Sequence, residues 1–136
     1  MATKRVNTET MEWAPGSHIY GADAVYQGKE LVQLKHLSDR RAEGGGIAFL
    51  TKFLPPPGKA IKIVAVARSD EHVFNLKGGP GAKSGRKLRF SGDYALNPAG
   101  QTHSAFVSVE TLALVVYAGE PDEIKSISVV DIQSSG

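Results

Sequence analysis

Short apolar stretches separated by turn residues run along almost the whole chain. Within the stretches, Val, Ile, Phe and Tyr recur with the two-residue period of strands, and Gly, Pro, Asn and Asp stand at their ends. This pattern predicts β-strands rather than helices. The predicted strands cover residues 30–37, 46–54, 61–67, 72–76, 88–90, 93–96, 104–109, 112–117 and 124–132.

The spacing of these strands indicates the fold class. They recur at intervals of roughly 8 to 12 residues, in a chain that contains 15 Gly and 7 Pro, and such regular short strands are typical of a β-sandwich or closed β-barrel. Helix is nearly absent, since residues 38–43 predict only a single turn that ends at Gly44. We therefore expect an all-β single domain over residues 1–136, with a core of about 30–119 and an N-terminal extended segment, 1–29.

The predicted strand 61–67 has apolar residues on both of its faces. One face contains Ile61, Ile63, Ala65 and Ala67, and the other contains Lys62, Val64, Val66 and Arg68. Strands that are buried on both sides show this composition, so the strand is expected to be covered on each face.

Composition excludes several function classes. The 16 basic and 14 acidic side chains leave a formal net charge of +2, which does not indicate nucleic-acid binding. A local excess of basic residues has no interleaved aromatic residues to stack bases, so it predicts a solvated loop. It consists of Lys77, Lys83, Arg86, Lys87 and Arg89.

The absence of cysteine rules out disulfides and thiolate metal sites. The N-terminal residues lack the apolar stretch of a secretory signal, and no apolar run approaches the ~20 residues that span a bilayer. We therefore expect a cytoplasmic protein with no membrane partner.

One motif carries the most specific information. Gly92, Pro98, Gly100 and His103 stand at the spacing G-x5-P-x-G-x2-H. Glycine suits tight corners where φ is positive, and proline fixes the turn between strands. His103 would then begin a strand and point inward. The spacing resembles the second motif of the cupin superfamily.

A second set of spacings along the chain supports the resemblance in part. The first cupin motif, G-x5-H-x-H-x4-E-x6-G, counted from Gly58 puts Glu71 and Gly78 in register but places Val64 and Val66 at the two histidine positions. The chain is similar to single-domain cupins such as the cupin domain of ChrR-type anti-sigma factors and acetylacetone dioxygenases. The resemblance implies a double-stranded β-helix, the cupin jelly-roll barrel.

The resemblance also implies a degenerate metal site. In metal-containing cupins the histidine of the second motif joins two histidines and a glutamate of the first motif. In this chain the two motifs together provide only Glu71 and His103. We expect no metal cofactor; if Fe, Mn, Ni or Zn is bound, His72 or His18 would have to complete the site. The expected ligand pocket contains Lys62, Val64, Val66, Glu71, His103 and Ala105.

Three functions remain open from the sequence. The first is a cupin-fold protein that binds a small organic molecule in an apolar interior and forms a homodimer through its N-terminal segments and the His72/Phe74/Leu76 face. The second is a metal-dependent dioxygenase, and the third is a ChrR-like sensory module. Glu71 and His103 are the candidate catalytic residues, either as metal ligands or as an acid/base couple.

Overall fold

The computed structural model describes residues 2–78 and 91–132. One short helix, α1 (Ser17–Tyr20), and three single 3₁₀ turns, Thr8–Thr10, Ala22–Ala24 and Arg41–Glu43, accompany the strands. The strands are β1 (Ala14–Pro15), β2 (Val25–Tyr26), β3 (Lys29–Glu30), β4 (Val32–Asp39), β5 (Ile47–Phe53), β6 (Lys59–Val66), β7 (Glu71–Lys77), β8 (Tyr94–Asn97), β9 (Thr102–Val107), β10 (Thr111–Tyr117) and β11 (Glu123–Asp131).

The described strands form two main sheets and a small hairpin. The larger sheet has the order β1-β4-β5-β10-β7-β8, the smaller has the order β11-β6-β9, and β2 pairs with β3. Each pairing is antiparallel. The all-β fold class and the single turn near residue 41 are confirmed. The predicted strand 88–90 and the basic residues Lys83, Arg86, Lys87 and Arg89 lie outside the described residues.

The core lies between the two sheets. Phe49 and Val115 face it from the large sheet, and Ile61, Ile63 and Val107 face it from the small one. Each of these side chains is at most 5% exposed. Full burial of an aliphatic or aromatic side chain of this size contributes about 1.5–3 kcal/mol, so the contact between the sheets is the main stabilising term of the fold.

Among the described residues, the structure contains no helix with the length and apolar character needed to cross a membrane.

Glycines stand where the backbone turns sharply. Gly92 and Gly100, both expected at corners, have φ of +92° and +89°. Gly46 has φ of +75°, and a Cβ atom there would overlap the carbonyl oxygen of Tyr117. Gly46 immediately precedes β5, opposite the end of β10, so a side chain at this position would separate two paired strands.

We expect Gly46→Ala to destabilise the fold more than Gly44→Ala does. Gly44 has φ of +77° with open space around it. Its substitution therefore costs only the strain of a side chain on a left-handed backbone, about 1–2 kcal/mol. Gly46→Ala adds the displacement of packed backbone, a further ~1–3 kcal/mol. Urea unfolding measures the free energy of unfolding of the two variants. Equal losses of this free energy would contradict the packing argument.

Candidate functional site

Three polar side chains from different parts of the chain meet between the two main sheets, near the starts of three strands. Glu71 begins β7, His103 lies near the start of β9, and Asp122 immediately precedes β11. His103 Nε2 is 2.7 Å from Asp122 Oδ2 and 3.4 Å from Glu71 Oε1. The imidazole therefore stands between two carboxylates.

Strand alternation directs two of these side chains inward. In β7, Glu71, Val73 and Asn75 are buried while the intervening side chains face outward. In β9, His103 lies opposite Ala65 of β6, which is 1% exposed. Because cross-strand partners share a face of the sheet, His103 points into the same interior as Ala65.

Asp122 is buried with one oxygen unsatisfied. Its side chain is 3% exposed, and Oδ2 contacts His103. Its other oxygen, Oδ1, has no hydrogen-bond partner among the described residues. A buried polar atom left without a partner costs about 1–3 kcal/mol, so native proteins usually satisfy it with a water molecule or an ion.

Glu71 is held in an environment that disfavours its negative charge. Burial raises the pKa of its carboxyl, and the nearby Asp122 raises this pKa further. The Asn97 amide donates a hydrogen bond of 2.8 Å to Oε1, which together with His103 and the Tyr117 hydroxyl opposes part of the increase. Burial also raises the pKa of Tyr117, so this hydroxyl keeps its proton and can donate it in the hydrogen bond to Glu71.

The three polar groups border a small cavity. The volume available to the centres of water molecules is about 30 Å³. A cavity needs roughly 10–15 Å³ by this measure to hold one water, so there is room for one or two small species. The rest of the wall is largely aliphatic and is formed by Ile63, Ala65, Val73, Ala105, Val115 and Ile124, together with the aromatic side chains of Tyr20 and Phe53.

The geometry and donor types fit a divalent metal ion. One donor atom each from Glu71, His103 and Asp122 lies within 4.8 Å of the others. Imidazole nitrogen combined with carboxylate oxygen suits Mn²⁺, Fe²⁺ and Zn²⁺. A cation would also satisfy Asp122 Oδ1 and neutralise the repulsion between the two carboxylates.

Only part of the expected pocket lines this cavity. Glu71, His103 and Ala105 do so, as expected. Lys62, Val64 and Val66 do not: Val64 lies opposite Ser104 and Val66 opposite Thr102, on the outer face of the small sheet.

The count from Gly58 therefore places Glu71 correctly but is wrong by one position within β6. The inward residues of β6 are Ile63 and Ala65, and a shift of one residue exchanges the two faces of a strand. The outer face of this strand is covered only in part, because Val64 and Val66 are half-buried. The inward positions of β6 remain aliphatic, so this strand contributes no metal ligand.

The histidines proposed to complete a metal site lie elsewhere. His72 faces outward, with Nδ1 2.6 Å from the Tyr94 hydroxyl, and His18 is exposed on α1. The third member of the site is Asp122, which the sequence analysis missed. Asp122 lies in a Gly-Glu-Pro-Asp segment typical of a surface turn, and no spacing in the sequence distinguishes it from an exposed acid.

No protein-family model and no curated protein matches the chain. Solved structures do match. A cupin-like protein of unknown function from Ralstonia eutropha has a TM-score of 0.64 and 14% identity, covering 91% of this chain and 77% of that one. An acetylacetone dioxygenase from Acinetobacter johnsonii has a TM-score of 0.63 and 12% identity, covering 96% and 87%.

A third solved structure gives the same fold. The polyketide cyclase RemF from Streptomyces resistomycificus has a TM-score of 0.57 and 16% identity, covering 98% of this chain and 89% of that one. The chain therefore has the cupin fold, as the motif at Gly92 predicted. At these identities the likeness extends to the fold and not to the activity.

The raised pKa of Glu71 predicts a pH-dependent effect of Glu71→Gln in metal-free protein. The carboxyl prefers its proton in the folded state, so the wild type loses stability as pH rises from about the ordinary value of 4.5 through the folded-state pKa. Glutamine does not ionise. The variant should therefore gain stability relative to the wild type as pH rises, and show no gain below pH 4.5.

Urea unfolding across pH in the presence of a chelator measures this gain. Glu43→Gln, at an exposed position, is the matched control and should show little change across the same range. A Glu71→Gln advantage that is constant with pH would contradict the electrostatic explanation.

Proposed function

We propose that this chain binds one divalent metal ion through Glu71, His103 and Asp122 and uses it to activate a small oxygen-containing molecule. The observation that carries the proposal is the buried Oδ1 of Asp122, which has no hydrogen-bond partner in the described part of the chain and lies at a cavity with room for an ion. When bound, such an ion acts as a Lewis acid toward a molecule at an open coordination position.

The protein side chains around the cavity have distinct tasks in this proposal. Asn97 and Tyr117 hold the Glu71 carboxylate by hydrogen bonds, which fixes the direction of its oxygens. His103 Nε2 now contacts Asp122 Oδ2, and ligation by both would replace that contact. The aliphatic wall excludes bulk water and so strengthens each electrostatic interaction inside.

Three protein ligands leave room for exogenous ones. Catalytic metal sites commonly keep one or more positions open in this way. The cavity of about 30 Å³ admits a molecule of the size of water or dioxygen beside the ion. A metal-dependent oxygenase is therefore one form of the proposal, supported by the fold that the chain shares with acetylacetone dioxygenases.

The small volume of this cavity argues against the first hypothesis, in which a small organic molecule binds in an apolar interior. Pockets for small organic ligands usually measure roughly 300–1,000 Å³, about an order of magnitude more than the volume open to water centres here. Tyr20, the last residue of α1, also lines the cavity, so a larger organic substrate would have to displace side chains such as this one. The sensory alternative stays a prediction.

A proton-transfer centre without metal is the second candidate function. It rests on the raised pKa of Glu71 and on the contact between His103 and Asp122, which together form an acid/base group at the same cavity. Metal content of the purified protein separates the two candidates.

We predict stoichiometric metal binding that depends on Asp122. The wild type should bind about one Mn²⁺ or Zn²⁺ per chain, more tightly as pH rises, because protons compete for the carboxylates and the imidazole. His103→Ala and Asp122→Asn should each weaken binding by more than ~100-fold, since losing a direct ligand costs at least as much as the 10- to 100-fold typical of outer-shell partners. Isothermal titration calorimetry and elemental analysis measure both quantities.

The matched control is Asp131→Asn, which removes an exposed carboxylate at the end of β11. It should bind metal like the wild type. A wild type that binds no stoichiometric ion, or an Asp122→Asn variant with undiminished affinity, would overturn the metal proposal.

We also infer that the chain pairs with a second copy through an exposed apolar patch on β7 and β8. Phe74, Leu76, Tyr94 and Leu96 are 42–56% exposed on the outer face of the large sheet. An aromatic side chain presents ~150–250 Å², so the four together expose on the order of 300 Å², the size of patch that often marks an interaction site.

The position of the patch favours a second copy as its occupant. β8 is the last strand of its sheet among the described residues, and an edge strand offers unpaired backbone groups to an identical edge. Such pairing is self-complementary under two-fold symmetry. The neighbouring Leu114 and Val116 extend the apolar surface toward the ~800 Å² per partner that a stable interface needs.

The N-terminal segment, also expected at the interface, packs on the large sheet of its own chain. Lys35 Nζ donates to the Thr8 carbonyl at 2.6 Å, and the ammonium groups of Lys35 and Lys52 lie 4.5 and 4.3 Å from the centre of the Trp13 ring. These contacts hold residues 8–13 against the outer face of β4 and β5 and leave the β7/β8 patch open.

We expect Leu96→Glu to convert a dimer to a monomer. The wild type should sediment with twice the 14.5 kDa mass of one chain, and a charge within the patch should abolish pairing. Val25→Glu changes an equally apolar residue, 39% exposed on the separate β2/β3 hairpin, and should remain dimeric. A monomeric wild type in sedimentation equilibrium would refute the interface.

A further inference from the structure

The turn between β6 and β7 contacts every segment that carries a member of the candidate metal site. We define this turn as residues 67–70. Glu71 follows it directly in the chain. On one side, Ala67 exchanges backbone hydrogen bonds of 3.0 and 2.7 Å with Gln101 and Gly100, two and three residues before His103. The Asp70 carboxylate also accepts a bond from the Ala99 amide at 2.9 Å.

On its other side, the 67–70 turn contacts the segment that leads to Asp122. The Ala118 amide donates to the Asp70 carbonyl at 2.9 Å. Ser69 Oγ accepts a hydrogen bond from the Gly119 amide and donates one to the Glu120 carbonyl, each 2.9 Å long. Segment 118–122 has no strand pairing of its own, so these bonds determine its path.

Among the residues of the 67–70 turn, Arg68 makes the contacts nearest to Asp122. Its Nε donates to the Pro121 carbonyl at 2.6 Å, and Nη2 lies 3.5 Å from the Asp122 carbonyl. The guanidinium therefore contacts the two peptide groups on either side of the Asp122 Cα atom. It also places a positive charge next to a residue whose carboxylate faces a second buried carboxylate, that of Glu71.

We propose that Arg68 is a positioning residue for Asp122: it fixes the backbone of segment 121–122 so that the carboxylate stays directed at His103 and Glu71. The inference rests on the proposed metal site for its effect on affinity, but the placement of Asp122 is independent of any ion. Restraint is needed here because Asp122 lies in an irregular segment and is repelled by Glu71. A planar guanidinium can restrain two carbonyls at once, whereas a lysine can only do so from a single point.

The test uses Arg68→Met, which keeps much of the apolar stem, and Arg68→Lys, which keeps the charge and loses the planar fork. In calorimetric titration with Mn²⁺, Arg68→Met should weaken affinity 10- to 100-fold, as removal of groups that orient metal ligands typically does. Arg68→Lys should lie between Arg68→Met and the wild type. Arg41→Met is the matched control, because Arg41 contacts the same segment through the Glu120 side chain at 2.9 Å and not through the backbone.

A double-mutant cycle separates positioning from general destabilisation. If Arg68 acts through Asp122, adding Arg68→Met to Asp122→Asn should weaken Mn²⁺ binding no further. An equal loss in both backgrounds would overturn the inference, as would wild-type affinity in Arg68→Met.

A metal-free measurement keeps the inference distinct from the proposed function. The imidazole ¹⁵N signals of His103 report the contact of Nε2 with Asp122 Oδ2, which is 2.7 Å long. At one fixed pH, Arg68→Met should move these signals toward those of Asp122→Asn, while Arg41→Met should leave them in place. Unchanged signals in Arg68→Met would refute the positioning role, whereas a wild type that binds no metal would refute only the metal site.

Discussion

The contact of one imidazole with two buried carboxylates is the interaction on which the candidate site depends. His103 lies within 3.4 Å of both Glu71 and Asp122, in a cavity walled largely by aliphatic side chains. Two negative charges in such surroundings repel each other and lack the water that would stabilise them. They need either a proton or a cation, and this requirement turns an otherwise ordinary core into a candidate site.

The fold supports this arrangement by bringing three strand starts to one end of the barrel. The two sheets bury Phe49, Ile61 and Val115 between them, which fixes the registers that direct Glu71 and His103 inward. Segment 118–122 brings Asp122 to the same end through its bonds to the 67–70 turn. The stability of the apolar core therefore offsets the cost of burying three polar groups next to it.

The aliphatic wall and the small volume limit what the site can do. A cavity of about 30 Å³ has the volume for an ion with one small ligand and is much smaller than the usual pocket for an organic molecule. The cupin fold accommodates several chemistries, so the fold alone does not choose among them. The chemistry available to this site depends on its three possible metal-binding side chains, which combine one nitrogen donor with carboxylate oxygens and contain no sulfur.

The sequence by itself determined strands β4 to β11, the all-β class and the inward His103, because the two-residue period and the Gly92 to His103 spacing are local properties of the chain. It also identified Glu71. It misplaced Val64 and Val66, since a count through the turn at Gly58 cannot detect a one-residue shift that the pairing of β6 with β9 determines. Only the tertiary structure revealed Asp122, because a turn acid becomes a buried partner of His103 through contacts between residues more than fifty positions apart, such as Arg68 with Pro121.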